Sequence, residues 1–150
     1  MPVARTYLPL SPTDLQALAD DRELAAGAVG VAVGPGAGEE AEYAAWLAAA
    51  ELAADRVART EDSAIGSASA GGSSEVVMRR VIASADLDVA GLVPPVSAAP
   101  TAITVSGAVP LKRIVSFHVD ERVGSGVEDL LWFDVSELDE VRELVTGIRR

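Results

Sequence analysis

The chain alternates stretches of period-two patterning with stretches of helical spacing. Residues 3–8 (VARTYL) are β-prone and lead into a well-marked helix start. Ser11 fits the N-cap, Pro12 the first helical position and Asp14 the third, while Leu10 and Leu15 occupy the two positions of a hydrophobic staple. This helix is predicted to run to about Leu24 or Ala26, with Gly27 as a left-handed cap. Residues 28–33 (AVGVAV) then alternate, with Val29, Val31 and Val33 opposite Ala28, Gly30 and Ala32. The small face predicts close approach of a helix backbone.

A second helix is predicted over about 39–59. It is rich in Ala, the best helix former. Glu39, Glu40 and Glu42 crowd its start and Arg56 and Arg59 sit near its end, matching the macrodipole. Tyr43, Trp46, Leu47, Ala50, Ala54 and Val57 recur at helical spacing and are read as its core stripe. Residues 60–75 (TEDSAIGSASAGGSSE) lack periodicity and apolar surface, so a flexible Gly/Ser/Ala-rich loop is expected there.

The second half reads mainly as strands. They are 76–83 (VVMRRVIA), with Arg79 and Arg80 on opposite faces, then 101–106 (TAITVS), 114–119 (IVSFHV) and 130–135 (LLWFDV). A Pro-containing connector (AGLVPPVSAAP) separates the first two. Ser136 is expected to cap a last helix, with Asp139 at N3 and Val141, Leu144, Val145 and Ile148 as its apolar stripe. The order β-α-β-α-β-β-β-β-α predicts an α+β fold with a mixed, largely antiparallel sheet and about three helices.

Composition narrows the class. A chain of 150 residues is expected to form a single domain over 1–150, burying roughly 68–70% of its unfolded surface. The absence of cysteine excludes thiol catalysis, iron–sulfur ligation and cysteine-based zinc sites. A net charge of −11, with Lys112 the only lysine and the arginines scattered, argues against nucleic acid as partner. The first residues lack an apolar signal region, and the richest apolar run, AAWLAAA, is too short to span a bilayer. A cytoplasmic protein without membrane association is the expectation.

Four groups of residues are candidates for chemistry. Gly34-Pro35-Gly36-Ala37-Gly38 lies between a strand and a helix start, the context for a phosphate cradle. No Lys, Ser or Thr follows it, and Glu39, Glu40 and Glu42 would repel a phosphate, so a tight connection is expected. His118, the only histidine, shares a strand face with Ser116 and Asp120, opposite Val115, Phe117 and Val119. His118 and Asp120 could supply two metal ligands, with Asp134 a third if the strands pair, but no second imidazole is near. A Ser-His-Asp reading puts Ser116 and His118 near the limit of hydrogen-bond reach, and no G-x-S-x-G occurs. Asp120, Glu121, Glu128 and Asp129 around Gly124-Ser125-Gly126 lack the calcium-loop pattern and read as solvated. Trp132 shares a face with Leu130 and Asp134. It is core if helices cover both faces of the sheet, and otherwise marks a ligand pocket or an interface.

The opening RTYLPLSPTDLQAL, the run EEAEYAAWLAAAELA, the strand VMRRVIASADL and the closing VPLKRIVSFHVDE and DLLWFDVSEL, in that order, resemble one family. It is an uncharacterised family of small actinobacterial proteins, a domain of unknown function, and the Arg- and Ala-rich, Lys-poor composition is similar to that of high-GC genomes. The resemblance implies no activity, cofactor or catalytic residue.

The expectation is therefore a non-catalytic binding or regulatory module acting through a protein partner or a homo-oligomer, with no cofactor and no metal. The alternative is a small-molecule-binding protein or hydrolase with a site at His118, Asp120, Trp132 and Asp134. A deep concave pocket holding His118 and Trp132 favours the second, and an exposed flat apolar patch the first.

Overall fold

A computed structural model describes residues 2–67, 79–120 and 130–146. The first strand, β1 (Val3–Leu10), leads into α1 (Pro12–Asp21), β2 (Glu23–Leu24), β3 (Val29–Val33) and α2 (Glu39–Ser67). The second half holds β4 (Val81–Asp88), β5 (Leu92–Val93), β6 (Thr101–Val105), β7 (Val109–Pro110), β8 (Ile114–Asp120), β9 (Leu130–Asp134) and α3 (Leu138–Thr146). Among the described residues seven strands form one sheet in the order β5-β6-β3-β1-β4-β8-β9, every neighbouring pair antiparallel. β2 and β7 make a separate ribbon. The fold is α+β, and its longer elements follow the predicted order. β2, β5 and β7 are two residues each, too short to leave a periodicity in the sequence.

Period two divides the sheet into two faces. Ala4, Leu8 and Leu10 of β1, Val81, Ala83, Ala85 and Leu87 of β4, and Phe117 and Val119 of β8 belong to one core cluster. Leu15 and Leu18 of α1 close it with Leu138, Val141 and Val145 of α3. Leu15, Leu18, Phe117 and Val141 are fully buried, and each contributes about 1.5–3 kcal/mol relative to exposure. On the opposite face α2 lies over Tyr7, Val31, Val33 and Ile82 through Ala45, Ala49, Ala50 and Ala53.

The start of α1 is as expected: Asp14 N–H donates to Ser11 Oγ at 3.1 Å and Ser11 N–H to Asp14 Oδ2 at 2.9 Å. Its end is not. Arg22, at φ 60°, is the left-handed cap instead of Gly27. The ribbon explains the early exit, because Glu23 and Leu24 pair with Pro110 and Val109, and Leu24 is buried there.

Other expectations shift by a residue or a face. Of the expected α2 stripe, Ala50 is fully buried and Trp46 packs against the core, but Tyr43 is 56% exposed, and the seat is completed by Ala45, Ala49 and Ala53. Ala54 and Val57 lie outside the described side chains. The valine face of β3 meets α2, while its small face carries Gly30, where a Cβ would strike the Tyr7 carbonyl oxygen of the neighbouring strand. Val115 is exposed because the β4–β8 register slips between Ser84 and Ala85, which brings Ile114 to the core instead. β4 starts at Val81 and extends to Asp88, past the expected end. α2 continues through Ser67, so the first half of the expected 60–75 loop is helical, and its remainder lies outside the described residues. Asp134 caps the turn before α3, with Glu137 as its capping-box partner, where Ser136 and Asp139 were expected. Gly36 and Gly38, at φ 78° and 86°, make 34–38 the tight connection foreseen.

Candidate functional site

α2 packs mainly on β3, β1 and β4, so this face of β8 and β9 lies beyond its cover. The result is an open cleft of about 430 Å³ between the first half of α2 and the sheet. Arg5 and Tyr7 of β1, Ser84 of β4, Ser116 and His118 of β8 and Trp132 of β9 come from the sheet. Alternation puts them on one face, and the pairings Tyr7↔Ser84, Ser84↔Ser116 and His118↔Trp132 bring them side by side. Glu39, Glu42, Tyr43 and Trp46, spaced along one side of α2, supply the opposite wall.

The floor is a hydrogen-bonded cluster. His118 Nε2 lies 3.1 Å from Ser84 Oγ and 3.4 Å from Ser116 Oγ. Burial, and then the Arg5 charge, pull the His118 pKa down to about 4, so the imidazole is neutral near pH 7. It therefore serves as a donor and acceptor and not as a charge. Burial raises the pKa of Tyr7, with Glu42 adding to the rise. Arg5 Nε donates to Asp86 Oδ1 at 2.9 Å.

Rings form the wall and rim. Trp46 stands edge-on to His118 with centroids 5.9 Å apart, and Tyr43 lies 5.8 Å from Trp46. Trp132 is 60% exposed, so it is not core. The Trp46 indole N–H is buried and has no hydrogen-bond partner among the described residues. Such a donor costs about 1–3 kcal/mol.

The sequence candidates are not all brought together. His118 and Trp132 share the cleft. Asp120, 1% exposed, is held by Arg80, whose Nη2, Nε and backbone N–H all donate to its carboxylate at 2.7–3.1 Å. Asp134 accepts from Ser136 N–H at 2.9 Å and Ser136 Oγ–H at 2.6 Å, and these bonds lower its pKa. β8 and β9 do pair, but the two carboxylates are engaged away from the imidazole. Among the described residues no group of three or more His, Asp or Glu could hold a metal ion. Glu121, Glu128 and Asp129 lie outside the described residues.

Arg5, Tyr7, Ser84 and the α2 residues were not singled out with His118 from the sequence. Alternation was the available signal: Arg5 and Tyr7 share one face of β1, and Ser84 and Asp86 one face of β4. Neither says which strands will be neighbours.

The cluster is poorly built for acyl transfer. Ser84 is 2% exposed in a strand paired on both sides, so its hydroxyl is sunk. The backbone N–H groups of such a strand serve the ladder and are not free for an oxyanion. A larger groove, about 700 Å³, lies between α1 and α3, but its charges are of both signs (Asp20 and Asp139 with Arg22, Lys112 and Arg142). None of the buried polar side chains among the described residues faces it.

Fold and cleft together define an α+β domain with one sheet face sealed by two helices and the other half-open beside a third. The chain belongs to a family of unknown function (DUF6912), whose model matches residues 4–141. That span includes every residue of the cleft. No curated protein and no solved structure was found to match the chain. No helix among the described residues is long and apolar enough to cross a membrane.

Proposed function

We propose that the protein is a small-molecule-binding module whose ligand sits in the cleft between α2 and the β8–β9 end of the sheet. The observation that carries this reading is the pairing of a polar floor with exposed rings. Neutral His118, held by the buried hydroxyls of Ser84 and Ser116, offers an imidazole that both donates and accepts. Tyr43 and Trp132 offer flat apolar surface at the rim. Small-ligand sites combine these features: mostly apolar or aromatic walls, and a few convergent polar groups that fix orientation. The orphaned Trp46 N–H adds to the argument, since an acceptor on a ligand would give it a partner.

The role is binding, with His118 fixing the ligand's orientation. A protein partner or a second copy of the chain is less well supported, because Trp132 lines the same cleft as the hydrogen-bonded cluster of His118, Ser84 and Ser116. The test is native mass spectrometry of the protein purified gently from its own host, beside Trp132→Ala. A small-molecule adduct that the variant loses is expected. A bound polypeptide in place of the adduct, or an adduct indifferent to Trp132→Ala, would overturn the reading. Trp132 is largely exposed, so the variant should fold with a stability change within about 0.5 kcal/mol.

A further inference from the structure

We infer that the ligand of the cleft is a small organic cation whose ammonium group sits against the aromatic rim, an inference that rests on the ligand-binding reading above. The sign follows from the lining charges. Glu39 and Glu42 both line the cleft, and among the described residues neither carboxylate has a hydrogen bond or an ion pair. Arg5, the cation of the lining, is paired with Asp86 at 2.9 Å. His118 is neutral near pH 7. Two carboxylates are therefore left without a counter-charge, and the influence of Glu42 reaches the floor at Tyr7.

The rings point the same way. Tyr43, Trp46 and Trp132 all line one open volume. The face of an aromatic ring is the negative part of its quadrupole, and Trp is the best cation acceptor. An anion would meet two carboxylates, while Arg5 is already engaged by Asp86. A neutral molecule would use the rings but leave Glu39 and Glu42 unanswered. A cation uses both, while its polar remainder reaches the His118 end of the floor. The glutamates also suit the N-terminus of α2, but that role does not need them beside three aromatic rings.

The experiment uses a property of the whole chain. Its two tryptophans both line the cleft, so the two indole Nε1–H NMR signals report on this site. The probes are choline, the uncharged alcohol in which a quaternary carbon replaces the nitrogen, and the corresponding carboxylate. Choline should shift both indole signals and bind about tenfold more tightly than the alcohol, and the carboxylate should bind more weakly still. The double variant Glu39→Gln, Glu42→Gln, which keeps the helix start polar, should bring choline down to the affinity of the alcohol. If the alcohol or the carboxylate binds as well as choline, the cation inference fails and the ligand-binding reading stands. Silence of both indole signals towards all three probes also overturns the inference, and the reading beneath it is then decided by the adduct experiment.

Discussion

His118 is the only histidine of the chain, which makes its proton a clean probe of the cleft floor. Burial first, and Arg5 second, lower its pKa from 6.5 to about 4. At 1.36 kcal/mol per pH unit, the fold disfavours the imidazolium by about 3 kcal/mol. The unfolded chain takes up this proton near 6.5 and the folded chain only near 4, so between those values the unfolded state holds more protons. Stability from this source is present in full above 6.5 and is lost as the pH falls through the window, with about 3 kcal/mol gone below 4.

The perturbation is His118→Asn, which keeps a hydrogen-bonding group near Ser84 and Ser116 but does not titrate. Carboxylates titrate in both proteins and cancel in the comparison. Between pH 7 and pH 4.5 the wild type should lose roughly 2–3 kcal/mol more than the variant in denaturant unfolding. In a thermal scan that is roughly 4–12 °C. Direct NMR titration of the imidazole should give a midpoint near 4. A midpoint near 6.5, or parallel pH profiles for the two proteins, would refute the argument and with it the neutral, hydrogen-bonding role given to His118.

Two further substitutions test the framework around the cleft. Asp120→Ala removes the buried carboxylate that the Arg80 guanidinium, 13% exposed, meets through Nε and Nη2. A loss of about 3–5 kcal/mol is expected, against about 1 kcal/mol for Asp134→Ala, which removes only a turn cap. Equal losses in chemical denaturation would show that the Arg80 pair is not structural. Gly30→Ala puts a methyl group against the Tyr7 carbonyl oxygen and 2.8 Å from Leu8 Cδ2. It should cost about 1–3 kcal/mol or more by overpacking, and an unchanged unfolding midpoint would mean that β1 and β3 are not as close as described.

The sequence pattern was informative wherever the signal is local. Ser11, Pro12 and Asp14 announce α1 because a cap is built within one turn. The alternation in IVSFHV places His118 opposite Phe117 because side-chain direction in a strand has period two. What local pattern lacks is pairing. Asp120 and His118 do share a face of β8, but Arg80, 40 residues earlier in the chain, enters beside Asp120 and takes its carboxylate. Arg22 ends α1 because two residues find partners near Pro110. The β4–β8 slip that exposes Val115 is likewise a relation between two strands. Alanine contrast drew the reading of α2 towards its large residues: Tyr43 is exposed, and the buried seat is Ala50, which the stripe held, with Ala45, Ala49 and Ala53, which it did not.

That seat accounts for the cleft. Ala45, Ala49, Ala50 and Ala53 are at most 3% exposed and let α2 settle onto β1, β3 and β4. A helix about 10 Å across cannot also cover the β8–β9 end of a seven-stranded sheet. On the other face α1 and α3 share the task, with α1 on β1 and α3 on β8 and β9. The uneven cover has a chemical consequence. On the sealed face β8 and β9 carry Phe117, Val119 and Phe133. On the open face the same strands carry Ser116, buried beneath His118, and Trp132, which is exposed. Trp46 bridges the boundary, half-buried between the alanine seat and His118. A ligand in this cleft would thus complete the second layer of the fold as well as occupy a site, so binding and stabilisation should rise together.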